Sequence, residues 1–258
     1  MLLSLVKTST DDGGDRRLAR EAQWLRELAD IPSLEGQVPR LLEEGWRDGR
    51  RFLVLSLAQG SAQETRAFTA DHARFLASLG KARFRVADFE VAGCCRWLQR
   101  AIANLSSLNS NQQTQDQLRA AYHDCESALL YWTGPYVLSQ GEFAPWNIRN
   151  FGAQLFVYDW GRAHADASPL DDVLHYLMVQ RALRRQPIGL RFLRAAMRRA
   201  HGFAQQAYPE WAWRPRVIGA LTLVYLLGAV LHHARQTGVC ETSACWRLLE
   251  NRAAWMPD

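Results

Sequence analysis

Lysine is nearly absent from this sequence. Only Lys7 and Lys81 occur among 258 residues, while arginine supplies the rest of the 31 basic residues. Each lysine therefore stands out. Paired cysteine motifs are missing as well. Five cysteines are present, two of them adjacent (Cys94 and Cys95), and no C-x-x-C pair occurs. That pattern argues against a disulfide framework and a structural zinc site, and for reduced thiols in a cytoplasmic protein. The apolar start, MLLSLV, is too short for a secretory signal. The longest apolar run, Val217 to Leu231, has 15 residues and carries Thr222 and Tyr225. It falls short of the roughly 18–20 residues needed to span a bilayer, which predicts a buried core helix and no membrane span.

Charge is unevenly placed. From Val173 onward there are 12 Arg, no Lys and 4 acids, a balance of +8; the first 172 residues carry −3. The C-terminal third is thus a basic surface on a slightly acidic body, either an anion-facing surface or a set of solvated helix faces. No stacking module or nucleic-acid motif accompanies the arginines, so no nucleic-acid partner is expected.

Residues 2–7 are a short apolar run of strand length, and residues 10–15 (TDDGGD) have turn composition. Leu18, Ala22, Leu25 and Leu28 recur at helical spacing within 16–31. Residues 40–57 predict two strands around Asp48-Gly49. Helices are expected over 69–80, 88–105, 116–132 and, from Asp171, over about 171–185, 188–207, 214–235 and 243–254. A break near Ala58–Ser61 separates residues 1–60, a small α+β lobe, from residues 61–258, a larger and mostly helical lobe.

Within the second part, residues 139–161 read SQGEFAPWNIRNFGAQLFVYDWG. A strand ends in a glycine turn, and Glu142 and Asn147 follow on one loop. A second strand ends at Asp159, with Gly152-Ala153 before it. Pairing of the two flanking strands as a hairpin would gather Glu142, Asn147 and Asp159 at one end. A carboxylate and an amide oxygen suit Mg²⁺, and a second carboxylate can orient or deprotonate a hydroxyl. Turn and cap roles explain the same residue types equally well.

The order of parts resembles the protein-kinase-like phosphotransferases, and more closely their aminoglycoside and choline kinase group. That group carries a His-Gly-Asp-x-x-x-x-Asn loop followed by a strand with an Asp-Trp pair; here the loop reads QGEFAPWN and the pair YDW. SPLDDVLHYL (168–177) resembles the group's acidic helix start, with Asp172, or alternatively Asp171, at the matching position. LVK places Lys7 at the phosphate-contacting strand lysine, and REAQWLREL places Glu21 at its helix partner. The resemblance implies a two-lobe α+β fold with a truncated small lobe of about three strands and one helix. It further implies ATP and Mg²⁺ as cofactors, Asn147 and Asp159 as metal ligands, Lys7 and Glu21 at the phosphates, and Glu142 at the base position.

Three departures stand out. Glu142 replaces Asp, and a carboxylate displaced by about an ångström can lose on the order of 10²-fold in rate. Gln140 replaces His. The strands and the glycine-rich loop that precede the lysine in this group have no counterpart among the six residues before Lys7. That would leave the first strand at a sheet edge, which invites pairing. A shortened form, a degenerate pseudokinase that binds nucleotide or a partner without transfer, and a homo-oligomer that covers the edge each fit. The basic C-terminal third argues against a polycationic acceptor and for a neutral or anionic small molecule, sugar-like or lipid-linked.

Overall fold

The computed structural model describes residues 4–58, 67–108, 110–151 and 154–257. The elements follow in chain order: β1 (Ser4–Thr8), α1 (Asp12–Ala29), β2 (Leu41–Arg47), β3 (Arg50–Ser56), α2 (Ala70–Ala82), β4 (Phe84–Asp88), α3 (Gly93–Ala103), α4 (Gln112–Leu129), β5 (Thr133–Ser139), β6 (Ile148–Phe151), β7 (Gln154–Val157), β8 (His164–Ala167), α5 (Asp171–Leu183), α6 (Leu190–Ala207), α7 (Pro215–Thr237) and α8 (Trp246–Glu250). The class is α+β, and the chain divides into two compact units.

One unit comprises Met1–Arg83 and Leu138–His164. Its strand, helix, strand, strand order is the one expected from the first 60 residues. The antiparallel sheet has the order β1-β3-β2. Asp48 and Gly49 both take positive φ, 52° and 73°, so the β2–β3 turn is the two-residue hairpin that Asp-Gly favours. β1 is an edge strand, and Leu5 and Val6 remain exposed on it. α1 begins earlier than its apolar spacing suggests. Asp11 caps it by accepting from the Gly14 amide at 2.6 Å, so most of TDDGGD is the first helical turn, not a free-standing loop. Leu18, Glu21, Ala22, Leu25 and Leu28 form its buried stripe. α2 runs past Gly80 to Ala82. The expected break near Ala58–Ser61 falls largely on residues 59–66, outside the described residues.

The other unit comprises Phe84–Val137 and Ala165–Asp258. The helix expected over 88–105 is shorter: β4 ends at Asp88, a 3₁₀ turn follows over Phe89–Val91, and the helix proper is Gly93–Ala103. α4 starts inside the polar stretch 108–115, because Asn111 caps it through the Thr114 amide. α7 extends to 23 residues, eight longer than its uninterrupted apolar run. By length and composition it could cross a membrane, yet 72% of its most apolar window is buried in the protein. It packs against α3, α4, α5, α6 and α8, so its composition is that of a central core helix.

Candidate functional site

Lys7, Glu21, Glu142, Asn147 and Asp159 all lie in the first unit, whereas Asp172 is in the first turn of α5 in the other. β1 presents Lys7, and the buried stripe of α1 presents Glu21, which is wholly shielded from solvent. Lys7 Nζ lies 2.6 Å from Glu21 Oε2 and 2.9 Å from Oε1. The same Nζ is 3.1 Å from Asp159 Oδ1, so one ammonium joins two carboxylates 138 residues apart in sequence. Glu21 Oε1 also accepts the backbone amide of Trp160 at 3.3 Å. Burial pushes the Glu21 carboxyl above its ordinary range; Lys7 offsets part of that, and Asp159 adds to it.

Asp159 itself adopts a left-handed backbone, φ 58° and ψ 71°. Such a conformation costs a non-glycine residue about 1–3 kcal/mol and persists only where surroundings over-determine it. Two groups supply that constraint. Trp160, fully buried, donates its indole N–H to Val157 O at 2.9 Å. Gln140, also fully buried, donates Nε2 to Asp159 O at 2.6 Å and to Tyr158 O at 3.0 Å. Its Oε1 accepts the Glu142 amide at 2.9 Å. One neutral side chain thereby fastens the Glu142 loop to the Asp159 turn.

Gly141 is needed between them. Its φ is +80°, and a Cβ there would stand 2.4 Å from Arg162 O. Phe143 follows with its side chain down, stacked on Phe75 of α2 at 5.9 Å. Pro145 opens a short 3₁₀ turn that ends at Asn147. The Asn147 amide nitrogen donates to Glu142 O at 3.0 Å, which turns its Oδ1 the opposite way. Its backbone oxygen accepts the Tyr158 amide at 2.8 Å, placing Asn147 one residue from Asp159 across the loops. Glu142 Oε2 meets Arg162 Nε at 3.3 Å. Burial raises the Glu142 carboxyl, Arg162 opposes that most, and Asp159 reinforces it.

The structure thus brings Lys7, Glu21 and Asp159 into direct contact, with Glu142 and Asn147 on the adjoining loop. The route differs from the expected one. The strands flanking the loop do not pair with each other: β5 lies between β4 and β8, and the hairpin is β6–β7, with Ile148 opposite Val157. β6 is hard to see in the sequence because IRNF is short and half polar. Gly152-Ala153 lies outside the described residues. Arg162 is not singled out by sequence reasoning; Gly141 enters there only as a turn glycine and Trp160 only as half of the Asp-Trp pair, neither with a structural role. The acid at 142 could have suggested a basic partner, but nothing in the spacing names Arg162.

No protein-family model matches the chain, and no curated protein matches it. Solved structures do. Wild-type aminoglycoside 2'-phosphotransferase-IIIa in its GDP complex is 18% identical; the match covers 97% of this chain and 86% of that one at a TM-score of 0.58. A ternary complex of a thermostable aminoglycoside phosphotransferase APH(4)-Ia with ADP and hygromycin B is 14% identical, covering 97% and 87% at 0.61. The gentamicin complex of APH(2")-IIa is 16% identical, covering 98% and 84% at 0.59. The chain has the aminoglycoside-phosphotransferase form of the protein-kinase-like fold, with a small sheet lobe and a larger helical lobe.

Proposed function

We propose that this protein binds ATP with Mg²⁺ and moves the γ-phosphate to a hydroxyl of a neutral or anionic small molecule of sugar-like chemistry. The observation that carries this reading is Lys7 Nζ held between Glu21 and Asp159, at 2.6 and 3.1 Å. Phosphoryl transfer is mostly positioning and charge neutralisation, and a strand lysine fixed by a buried helix carboxylate is built for that. GDP and ADP complexes of the similar solved structures add support. Among the described residues, no group of three His, Cys, Asp or Glu could hold a metal. The fitting donor set is one Asp159 carboxylate oxygen and Asn147 Oδ1, hard oxygens that leave room for phosphate. Mg²⁺ bound there would neutralise charge on the phosphates. Gln140 keeps Asp159 in place, and Glu142 accepts the proton of the acceptor hydroxyl, with Arg162 favouring its ionised form. The five free cysteines suit a reducing compartment such as the cytoplasm.

A second reading is favoured by one contact. The Glu142 carboxylate is already engaged by Arg162, and glutamate reaches farther than the aspartate of the resembling loop. A pseudokinase that binds nucleotide without transfer follows if that pair does not open. ATP with Mg²⁺ should raise the melting temperature, and Asp159→Ala should abolish the rise. Turnover across a panel of sugars, anionic sugar derivatives and kanamycin, lost in Glu142→Gln, supports transfer. Binding without turnover supports the second reading, and efficient phosphorylation of kanamycin would overturn the acceptor class.

A further inference from the structure

Seven arginines and no acidic residue lie between Arg181 and Arg199. They sit on the C-terminal turn of α5, the connection after it, and α6. Arginines elsewhere are commonly compensated: Arg26, Arg50, Arg83, Arg85, Arg119 and Arg252 each meet a carboxylate. Among the described residues, none of these seven does. Arg181 and Arg194 are spent on backbone carbonyls, of Pro187 and Ala254, at 3.2 and 2.9 Å. Arg184, Arg185, Arg191, Arg198 and Arg199 are exposed.

The helix phase orders these charges. On α6, Arg191, Arg194 and Arg198 recur at i, i+3 and i+7, opposite the buried stripe of Leu193, Ala196, Ala200 and Phe203. Arg181 ties the end of α5 to this helix, its guanidinium resting 4.5 Å over the Phe192 ring. Immediately beyond it, Leu183 is 65% exposed, an aliphatic side chain set directly before Arg184 and Arg185.

We infer that this face docks on the surface of a bilayer containing anionic phospholipids, the arginines meeting headgroup phosphates and Leu183 entering the acyl boundary. A small anionic ligand would need converging donors in a cleft, but these lie along about 10 Å of a convex helix face. A nucleic-acid strand would need a stacking ring, and the segment's only aromatic, Phe192, is covered by Arg181. Basic clusters of four to eight residues on an amphipathic helix suit anionic lipid, each charge adding roughly fivefold in affinity at low salt. One exposed leucine gives the weak, reversible apolar contribution that distinguishes lipid from other polyanions.

The test is co-sedimentation of the full chain with vesicles of pure phosphatidylcholine and of equal parts phosphatidylcholine and phosphatidylserine. Binding is expected to the anionic vesicles only, weakening with salt. Arg191→Gln with Arg198→Gln should lower it by at least tenfold, and Leu183→Ser by several-fold, with melting temperatures unchanged. Absence of binding to anionic vesicles overturns the proposal. So does binding that both variants leave intact, or tighter binding to single-stranded DNA that Leu183→Ser does not affect. Nucleotide binding at Asp159 is read separately, so failure of one assignment leaves the other standing.

Discussion

Replacing Gln140 by leucine isolates the clamp between the two loops. The side chain is fully buried and makes three hydrogen bonds across the loops, to Tyr158 O, Asp159 O and the Glu142 amide. At a net of about 0.5–1.5 kcal/mol each, their loss destabilises the protein by about 2–4 kcal/mol. Leucine fits the volume, so little of that comes from a cavity. The isosteric Gln140→Glu should cost as much or more, because it turns an acceptor toward two carbonyl oxygens. Without the clamp, the left-handed Asp159 backbone relaxes and its carboxylate withdraws from Lys7. Lys7→Met should then cost less in the Gln140→Leu background than alone, with a coupling of about 0.5–1 kcal/mol. Urea unfolding of the four species gives the cycle. A Gln140→Leu penalty under about 0.5 kcal/mol, or strict additivity with Lys7→Met, would refute the argument that Gln140 sets the Asp159 turn.

Gly141→Ala should destabilise by at least about 1 kcal/mol from its positive φ alone. Because the new Cβ must push the Arg162 carbonyl, it should also reduce the melting-temperature rise that ATP with Mg²⁺ produces. Glu21→Gln removes the buried anchor of Lys7 and should cost about 2–4 kcal/mol, less than a fully buried pair because Asp159 still holds the ammonium; an unchanged denaturation midpoint would contradict this. Asp171 on α5 has Oδ1 sealed from solvent without a partner among the described residues, and burial with Asp172 nearby raises its pKa to about 8. A pKa raised on folding contributes stability below the unfolded value, and that stability is lost as pH rises toward the folded one. Stability should therefore fall between about pH 4 and 8, by at most about 1.4 kcal/mol per unit, and Asp171→Asn should flatten the slope. A parallel pH profile for the variant would count against this assignment.

Much of this architecture was legible because local chemistry and tertiary need coincide. Asp48-Gly49 demanded a tight hairpin turn, and the positive φ values at both positions meet that demand. The apolar spacing of α1 placed Glu21 on the same stripe as Leu18 and Leu25, and burial on that stripe is what lets a single carboxylate reach Lys7. Other elements were hidden because long-range contacts decide them. β4 and β6 are short and mixed in polarity, and they become strands through the register they share with β5 and β7. The start of α1 was obscured by glycines that read as a turn until Asp11 capped them. Arg162 joins the site through the approach of its carbonyl to Gly141, a constraint that no sequence spacing encodes.

Gln140 changes what the departures from the resembling loop mean. A histidine at that position could clamp the turn while its own charge varies near neutral pH. Glutamine makes the same kind of bridge with a group that does not titrate. The clamp on Asp159 is thereby independent of pH, and an acid limb in activity would report the two carboxyls that burial raises, Glu21 and Glu142. Burial raises the Glu142 carboxyl while Arg162 draws it back. Arg162→Ala should therefore move an acid limb to higher pH, because it removes the largest influence favouring the ionised form. If Glu142 is instead a structural partner of Arg162, the substitution destabilises the loop and leaves the pH dependence of nucleotide binding where it was. The altered base position and the altered clamp are then one question about a single ion pair, resolved by whether that pair opens to admit a hydroxyl.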